Sequence, residues 1–223
     1  MKYNTFDLFE ESSEYVERIL ENADILKEVD GRKLCTVGGL LIFGKNPEKH
    51  LPQNGISFAH FNGNEISDEL IDKKIITGRI QDIAEQLMVV IKNNMLVPSV
   101  IDGLKRKEKE EYPNIVIREA VVNSLVHRNY SISGSKIRVL MYSDRIEFRS
   151  PGRLPNTVTI EKMKIGVFYA RNPFLVKYME NMRYIDQLGR GIPMILKKMR
   201  EAGAKEPLLM EQGEEFVLII YKA

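Results

Sequence analysis

The segment NIVIREAVVNSLVHRNYS, residues 114–131, organises the second half of the chain. Small and apolar side chains recur in it at the i, i+3, i+4, i+7, i+8 spacing of a single helix face, namely at Ile117, Ala120, Val121, Ser124 and Leu125. This spacing predicts an amphipathic helix from Asn114 to Arg128.

Three polar residues of the same helix form a stripe beside its apolar face. Glu119, Asn123 and His127 are spaced four residues apart, so their side chains stack along the helix. A carboxylate in such a stripe can orient or deprotonate a water molecule, and an Asn amide oxygen can ligate a hard cation such as Mg²⁺. A solvated helix face would carry the same residues, so the stripe alone fits both a site and a surface.

The residues after this helix predict a strand hairpin, three helices and two final strands. The hairpin strands run from Lys136 to Tyr142 and from Arg145 to Arg149, with a tight turn at Ser143-Asp144. Downstream, the patterns predict helices at Thr159–Lys164, Pro173–Met182 and Gly191–Ala202, and strands at Leu208–Met210 and Glu215–Tyr221 around a turn at Gln212-Gly213.

In the first half, apolar spacing predicts helices over about Phe6–Glu28 and Arg79–Met95, and a short strand over Gly55–Phe61. Together the patterns indicate an α/β fold, a two-layer sandwich of helices on one mixed sheet with a smaller α/β N-terminal portion. The charge run at 104–111 has mixed signs, which favour a solvated turn or hairpin tip over a nucleic-acid patch. We place the domain boundary there, between regions 1–105 and 106–223.

The overall charge of the chain is close to neutral and gives no reason to expect a highly charged partner. Lys and Arg number 33 against 31 Asp and Glu, and a formal net charge of +2 does not favour nucleic acid. No run approaches the roughly 18 apolar residues of a membrane span, and no apolar signal region follows Met1. We therefore expect a cytoplasmic protein with no membrane contact. The one cysteine, Cys35, lies in an apolar run, which predicts a buried thiol.

One segment imitates a phosphate-binding loop. Gly39–Asn46 has two glycines and a lysine at the required spacing, but bulky apolar residues fill it, and Asn46 stands where such loops need Ser or Thr. We therefore predict a buried element that ends in a glycine turn. Since no second motor motif appears either, we expect no helicase activity. His50 and His60 have no ligand-spaced partners, so we predict no zinc site.

Two glycine-containing turns could approach a ligand. Gln187-Leu188-Gly189-Arg190-Gly191 runs directly into a helix, whose N-terminus offers unpaired N–H groups to an anion. Ser150-Pro151-Gly152 ends the strand hairpin. Each segment taken alone indicates only a turn.

The order of these parts resembles the GHKL (Bergerat-fold) ATPases. The resemblance is closest to the divergent branch of proteins described as RecG-related helicases or predicted transcriptional regulators, and it covers about Asn114 to Tyr221. It is carried by residues 117–131, Ser150-Pro151-Gly152-Arg153-Leu154-Pro155, Arg171-Asn172-Pro173 and Gly189-Arg190-Gly191-Ile192. Upstream, residues 36–46 and 58–78 resemble the tail of the Schlafen/AlbA-like domain that commonly precedes this branch.

At the phosphate end of the ligand, the resemblance implies catalysis by Glu119, which would activate the hydrolytic water. Asn123 would hold Mg²⁺ between the phosphates, and the turn containing Gly189, Arg190 and Gly191 would contact phosphate. His127 would contact a phosphate too, although capping of the helix C-terminus explains it equally well.

At the adenine end, the resemblance implies contacts from the turn that contains Ser150 and Gly152. The superfamily reads the adenine amino group with an Asp in an Asp-x-Gly-x-Gly turn, whereas this chain has Ser150 and a single glycine there. A hydroxyl accepts a hydrogen bond more weakly than a carboxylate does. The stretch from about Asn156 to Arg183 would form a mobile lid over the nucleotide.

We therefore expect a nucleotide-binding regulatory domain of a transcriptional regulator, with ATP and Mg²⁺ as ligands. One alternative is a slow ATPase of the same fold. The other is a degenerate scaffold that binds no nucleotide and in which the sheet mediates homodimerisation. DNA contacts would come from regions absent from this chain, such as the complete upstream domain or a winged helix.

Overall fold

The computed structural model describes residues 12–95, 99–102, 105–108, 110–155, 157–185 and 190–223. The helices are α1 (Ser13–Asn22), α2 (Val37–Phe43), α3 (Pro47–His50), α4 (Ile80–Asn94), α5 (Asn114–Val126), α6 (Ile160–Lys164), α7 (Pro173–Asn181) and α8 (Gly191–Glu201). The strands are β1 (Leu26–Val29), β2 (Arg32–Cys35), β3 (Ile56–Phe61), β4 (Leu70–Ile76), β5 (Ser99–Asp102), β6 (Lys105–Glu108), β7 (Ile137–Met141), β8 (Arg145–Pro151), β9 (Leu208–Gln212) and β10 (Glu215–Tyr221).

A six-stranded mixed sheet forms the centre of the molecule, in the order β4-β3-β7-β8-β10-β9. Strands β3 and β7 are parallel, with Ile56 opposite Ile137, and the other neighbours are antiparallel. The sheet therefore takes strands from both sides of residue 105. The division into regions 1–105 and 106–223 stays a prediction.

Helices cover one face of this sheet. Alternate strand residues point into the layer formed by α4, α5, α7 and α8, because successive side chains of a strand lie on opposite faces. They form one core with the helices, and they include Ile56, Phe58, Val139, Met141, Ile146, Phe148, Leu218 and Ile220. The predicted two-layer α/β sandwich is confirmed.

The opposite face of the sheet carries a charged network. The Glu147 carboxylate, almost fully buried, accepts hydrogen bonds from Arg145 and Arg149 on the same strand, with N–O distances of 2.8 Å. Arg138 pairs with Glu215 at 2.6 Å. The strict alternation of charges in β8 therefore places a paired ionic layer over the strands.

The central helix α5 differs from its prediction. Its sequence predicts an amphipathic helix, yet residues on every side of it are buried, including Val116, Val122 and Val126. Because α5 lies on the sheet and is also contacted by α4, α7 and α8, little of its circumference reaches solvent. The prediction of an amphipathic helix is wrong, although its position along the chain is right.

Two predictions near the N-terminus are wrong as well. The described helix α1 ends at Asn22, since Asp24 adopts a positive φ of 55° and the chain turns into β1. Cys35 is exposed, because β2 belongs to a two-stranded hairpin outside the core. Residues 6–11 of the predicted helix lie outside the described residues.

The false phosphate loop is a short helix. Its apolar residues form α2, with Gly39, Leu41 and Ile42 buried and Gly44 at its C-terminus. Thr36 begins the helix, since its hydroxyl accepts a hydrogen bond from the Gly39 N–H at 2.9 Å. The prediction of a buried element that ends in a glycine turn is confirmed.

The charge run lies in a hairpin. Its described part, residues 105–108, is strand β6 and pairs antiparallel with β5. The predicted turn or hairpin tip is therefore a strand over these residues, because Ser99–Asp102 supplies an antiparallel partner. No helix of the described ranges is long and apolar enough to cross a membrane.

Candidate functional site

A cavity of about 120 Å³ lies between α5, the end of β8, the start of α8 and the segment that follows β8. The polar residues that line it are Glu119, Asn123, Ser124, His127, Ser150, Arg153 and Arg171. The apolar lining includes Phe148, Leu154, Val158, Met163, Val167, Phe168, Ile185, Ile192, Phe216 and Leu218.

Helix α5 presents two of the predicted site residues to this cavity. Glu119 is only 9% exposed, and its Oε1 accepts a hydrogen bond of 3.0 Å from the Asn123 side-chain amide. A carboxylate accepts but does not donate, so this bond turns Nδ2 of Asn123 toward Glu119. The amide oxygen of Asn123, the atom that would bind a cation, then points away from the carboxylate.

The start of α8 is packed directly on this pair. A Cβ atom added at Gly191 would overlap Glu119 Oε1 and would stand 3.2 Å from Asn123 Nδ2. Residue 191 must therefore lack a side chain for α8 to approach α5 so closely. Arg190 precedes the helix and is exposed. Gly189, the remaining residue of the predicted phosphate turn, lies outside the described residues.

His127 ends α5 and is uncharged near neutral pH. Burial, with a smaller contribution from the nearby Arg171 cation, lowers the pKa of its imidazole from 6.5 to about 4. The ring contacts Phe168 edge-to-face, with 5.8 Å between ring centroids. A neutral imidazole does not complement the helix dipole as a cation would, so His127 acts here as a polar wall of the cavity.

The turn after β8 joins the strand to the end of α5. The Ser150 hydroxyl donates to the backbone carbonyl of Ser124 at 3.0 Å. Gly152 has a φ of 116°, and a Cβ atom there would stand 2.6 Å from Asn129 Cβ. The structure thus brings Ser150 and Gly152 to the same cavity as Glu119, Asn123 and Gly191.

Two neighbouring residues hold the site together but were assigned no role from the sequence. The Asn172 amide donates to the carbonyls of Val126 and Arg128, both at 2.8 Å, and so satisfies the C-terminal end of α5. Arg171 lines the cavity and donates to the Arg153 carbonyl. The available signal, an Asn before a Pro at the predicted start of a helix, is typical of a cap of that helix. The Asn172 side chain makes no such cap bond to α7.

Arg128 supports the site from behind. Its side chain is fully buried and donates to the carbonyls of Asn129, Ile132 and Ser135 at 2.6–2.9 Å. These bonds fold the loop 129–135 around the guanidinium group. Asn129, which contacts Gly152, is thereby fixed in place.

The predicted lid is partly described. Its residues 157–183 contain α6 and α7, and the stretch between these helices supplies Val167, Phe168, Tyr169 and Arg171 to the cavity lining. The apolar side chains of this stretch and of β8 and β10 form a wall suited to a planar ring system. Within the described ranges, no group of three or more His, Cys, Asp or Glu side chains could hold a metal ion.

One solved structure with a similar fold is that of the DIP2311 protein from Corynebacterium diphtheriae. It superposes with a TM-score of 0.76 at 21% sequence identity, and the match covers 92% of this chain. The chain spans about 40% of the length of that protein. At this identity the likeness shows the fold alone.

One family model matches part of the chain. A search of curated proteins finds no match to the chain. Residues 134–220 match the family model described as "Putative ATP-dependent DNA helicase recG C-terminal". Helix α5, with Glu119 and Asn123, precedes the matched residues. The match indicates a RecG-related, ATPase-like domain over β7 to β10.

Proposed function

We propose that the cavity binds a nucleoside triphosphate together with Mg²⁺, with ATP as the expected ligand, in a GHKL-like domain that serves a regulatory role. One observation carries this proposal: Glu119, Asn123 and the N-terminus of α8 at Gly191 converge on a single cavity. The match to a RecG-related, ATPase-like family model supports it independently.

The residues around the polar end of the cavity fit a phosphate–magnesium group. The N-terminus of α8 offers backbone N–H groups to an anion, and the absence of a side chain at Gly191 lets Glu119 and Asn123 lie against this helix end. Asn123 would hold Mg²⁺ through its amide oxygen, while the phosphates would supply further oxygen ligands. The bound cation would neutralise part of the phosphate charge. Arg190 adds a positive charge at the same helix end.

The base end of the cavity would select its ligand weakly. The hydroxyl hydrogen of Ser150 is donated to the Ser124 carbonyl, so this hydroxyl can only accept a further hydrogen bond. A neutral acceptor contributes less than a carboxylate to recognition of an amino group. We therefore expect ATP to bind at most about tenfold more tightly than GTP, a difference of about 1.4 kcal/mol.

Entry of a nucleotide would require the lid to move. The cavity of about 120 Å³ is smaller than typical small-molecule pockets of roughly 300–1,000 Å³. Residues Val167, Phe168 and Tyr169 lie on its outer side and are partly exposed. Outward movement of this stretch would enlarge the cavity and change the protein surface, which is the basis for a regulatory role.

Hydrolysis is a second candidate activity at the same site. Glu119 is a buried carboxylate next to Asn123, the arrangement needed to orient a water molecule beside a bound phosphate. Glu119→Gln should abolish any hydrolysis and keep nucleotide binding within about threefold of the original affinity. Equal residual hydrolysis in this variant would remove Glu119 from the catalytic role.

Isothermal titration of ATP and Mg²⁺ into the complete chain tests the proposal. We expect micromolar binding that weakens at least tenfold in Asn123→Ala. The matched control is Asn93→Ala, the same substitution at an exposed position of α4, which should bind ATP normally. Absence of heat at millimolar ATP, with a folded protein, would contradict nucleotide binding and favour the scaffold.

A further inference from the structure

Strand β4 is an outer strand of the central sheet, and part of it is apolar and exposed. It is paired with β3 on one side, and no other strand of the described chain lies on its other side. Leu70, Ile71 and Ile75 are 43%, 59% and 65% exposed. An unpaired sheet edge leaves backbone N–H and C=O groups available to another strand.

The sequence of β4 is complementary to itself. When Ile71–Ile75 is laid antiparallel against a second copy about Lys73, Ile71 meets Ile75 and Asp72 meets Lys74. Ile71 lies at a bulge of β4 and has no partner in β3. A two-fold axis repeats each contact, so two apolar pairs and two opposite-charge pairs form at once.

We propose that β4 pairs antiparallel with β4 of a second copy of this chain, centred on Lys73. The two six-stranded sheets then form one continuous sheet. This interface is separate from the cavity and does not depend on nucleotide binding.

The other edge of the sheet lacks this complementarity. Strand β9 reads Leu208-Leu209-Met210-Glu211-Gln212, and antiparallel pairing about its centre would oppose Leu209 to Glu211 and Leu208 to Gln212. Paired about its centre, only β4 of these two strands sets Ile against Ile and Asp against Lys. This difference favours a second copy, joined through β4, over a general tendency of the sheet edges to associate.

The polar side chains of β4 are already positioned along the edge. The Asp72 carboxylate accepts a hydrogen bond of 2.9 Å from the Asn94 side-chain amide of α4, and it lies 3.4 Å from Nζ of Lys74. Lys73 would lie opposite Lys73 of the second copy, and two like charges in this position oppose pairing. A seven-residue edge also buries little area, so we expect a dimer that dissociates at low concentration.

Sedimentation velocity over a concentration series tests the dimer. We expect the mass to rise from 25.7 kDa toward twice that value at tens of micromolar. Lys73→Thr removes the like-charge contact and should tighten the dimer at least threefold. Ile71→Lys with Ile75→Lys should weaken it at least tenfold, and because both positions are exposed, circular dichroism should show an unchanged fold. The same substitution at Leu208 on β9, which is also exposed (43%), is the control.

Disulfide trapping tests the register. In a Cys35→Ser background, Lys73→Cys should form an intermolecular disulfide under mild oxidation, because position 73 faces itself across the axis. Ile75→Cys should form no such disulfide, because the two cysteines at position 75 would lie about 13 Å apart along the strands. A monomer at all concentrations, or equal crosslinking at both positions, would overturn the proposal.

Discussion

At the scale of single residues, the absence of a side chain at Gly191 brings α8 against the Glu119–Asn123 pair. Gly191→Ala should displace the Glu119 carboxylate, which the new methyl group would overlap, and cost roughly 1–3 kcal/mol of unfolding free energy. Urea denaturation measures this cost. In a Glu119→Ala background the same change should cost less, because the overlapping group is gone. Equal costs in both backgrounds would contradict the contact.

Gly152 is a second position where a side chain is excluded. Its φ of 116° and the nearby Asn129 Cβ both oppose alanine, so Gly152→Ala should lose roughly 2–4 kcal/mol in urea denaturation. Gly134→Ala is the matched control, since Gly134 also has a positive φ, of 76°, but no atom lies within 4 Å of its added Cβ. We expect about 1–2 kcal/mol there. A similar cost at both positions would show that packing against Asn129 is unimportant.

His127 should make the stability of the protein depend on pH. Its folded-state pKa of about 4 lies below the ordinary value of 6.5, so between these values the unfolded chain binds a proton that the folded protein does not. The stability contributed by the neutral imidazole is complete above about pH 6.5 and is lost as the pH falls toward 4. From about pH 7 to about pH 4 the original protein should lose roughly 3 kcal/mol more than His127→Gln. Urea denaturation at both pH values gives this difference, and parallel losses would exclude a neutral His127 in the folded protein.

At the scale of elements, Asn172, the residue before α7, forms hydrogen bonds to the chain at the end of α5. Asn172 closes the end of α5 with two hydrogen bonds, so Asn172→Ala would leave two carbonyls without this donor. We expect a loss of roughly 1–3 kcal/mol in thermal or urea denaturation. Asn181→Ala, an exposed change at the other end of α7, should cost less than about 0.5 kcal/mol. If both variants are equally stable, Asn172 does not fasten the two helices.

The elements differ in how well the sequence predicts them. Helix α4 and strands β7, β8 and β10 were predicted closely because their apolar periods are long and regular. Helix α5 was placed correctly, but its burial on every side depends on contacts with α4, α7 and α8 that the local spacing does not encode. Strands β1 and β2 were missed, because four-residue strands with little burial leave almost no periodic signal.

At the scale of the whole molecule, the parallel pairing of β3 with β7 joins the two halves of the chain in one sheet. More than 70 residues separate these strands, and no local pattern indicates such a pairing. For this reason the sequence shows the class of fold but not the order of the strands.

The candidate site, like the fold, is only partly predictable from the sequence. Glu119, Asn123, Ser150, Gly152 and Gly191 were selected from spacing and turn chemistry, and the structure brings them to one cavity. Arg171 and Asn172 received no role, because their contacts with the β8 turn and the end of α5 arise only when the chain folds back. The supporting residues of the site therefore require the structure.

The central claim is that a nucleotide occupies the cavity beside α5, and the imidazole resonances of the protein test it most directly. The chain has three histidines, His50, His60 and His127, of which only His127 lines the cavity. Proton NMR should show that ATP with Mg²⁺ shifts the resonance assigned through His127→Gln and leaves the other two unchanged. An unshifted His127 resonance at millimolar ATP, or a shift confined to His50 or His60, would contradict the account.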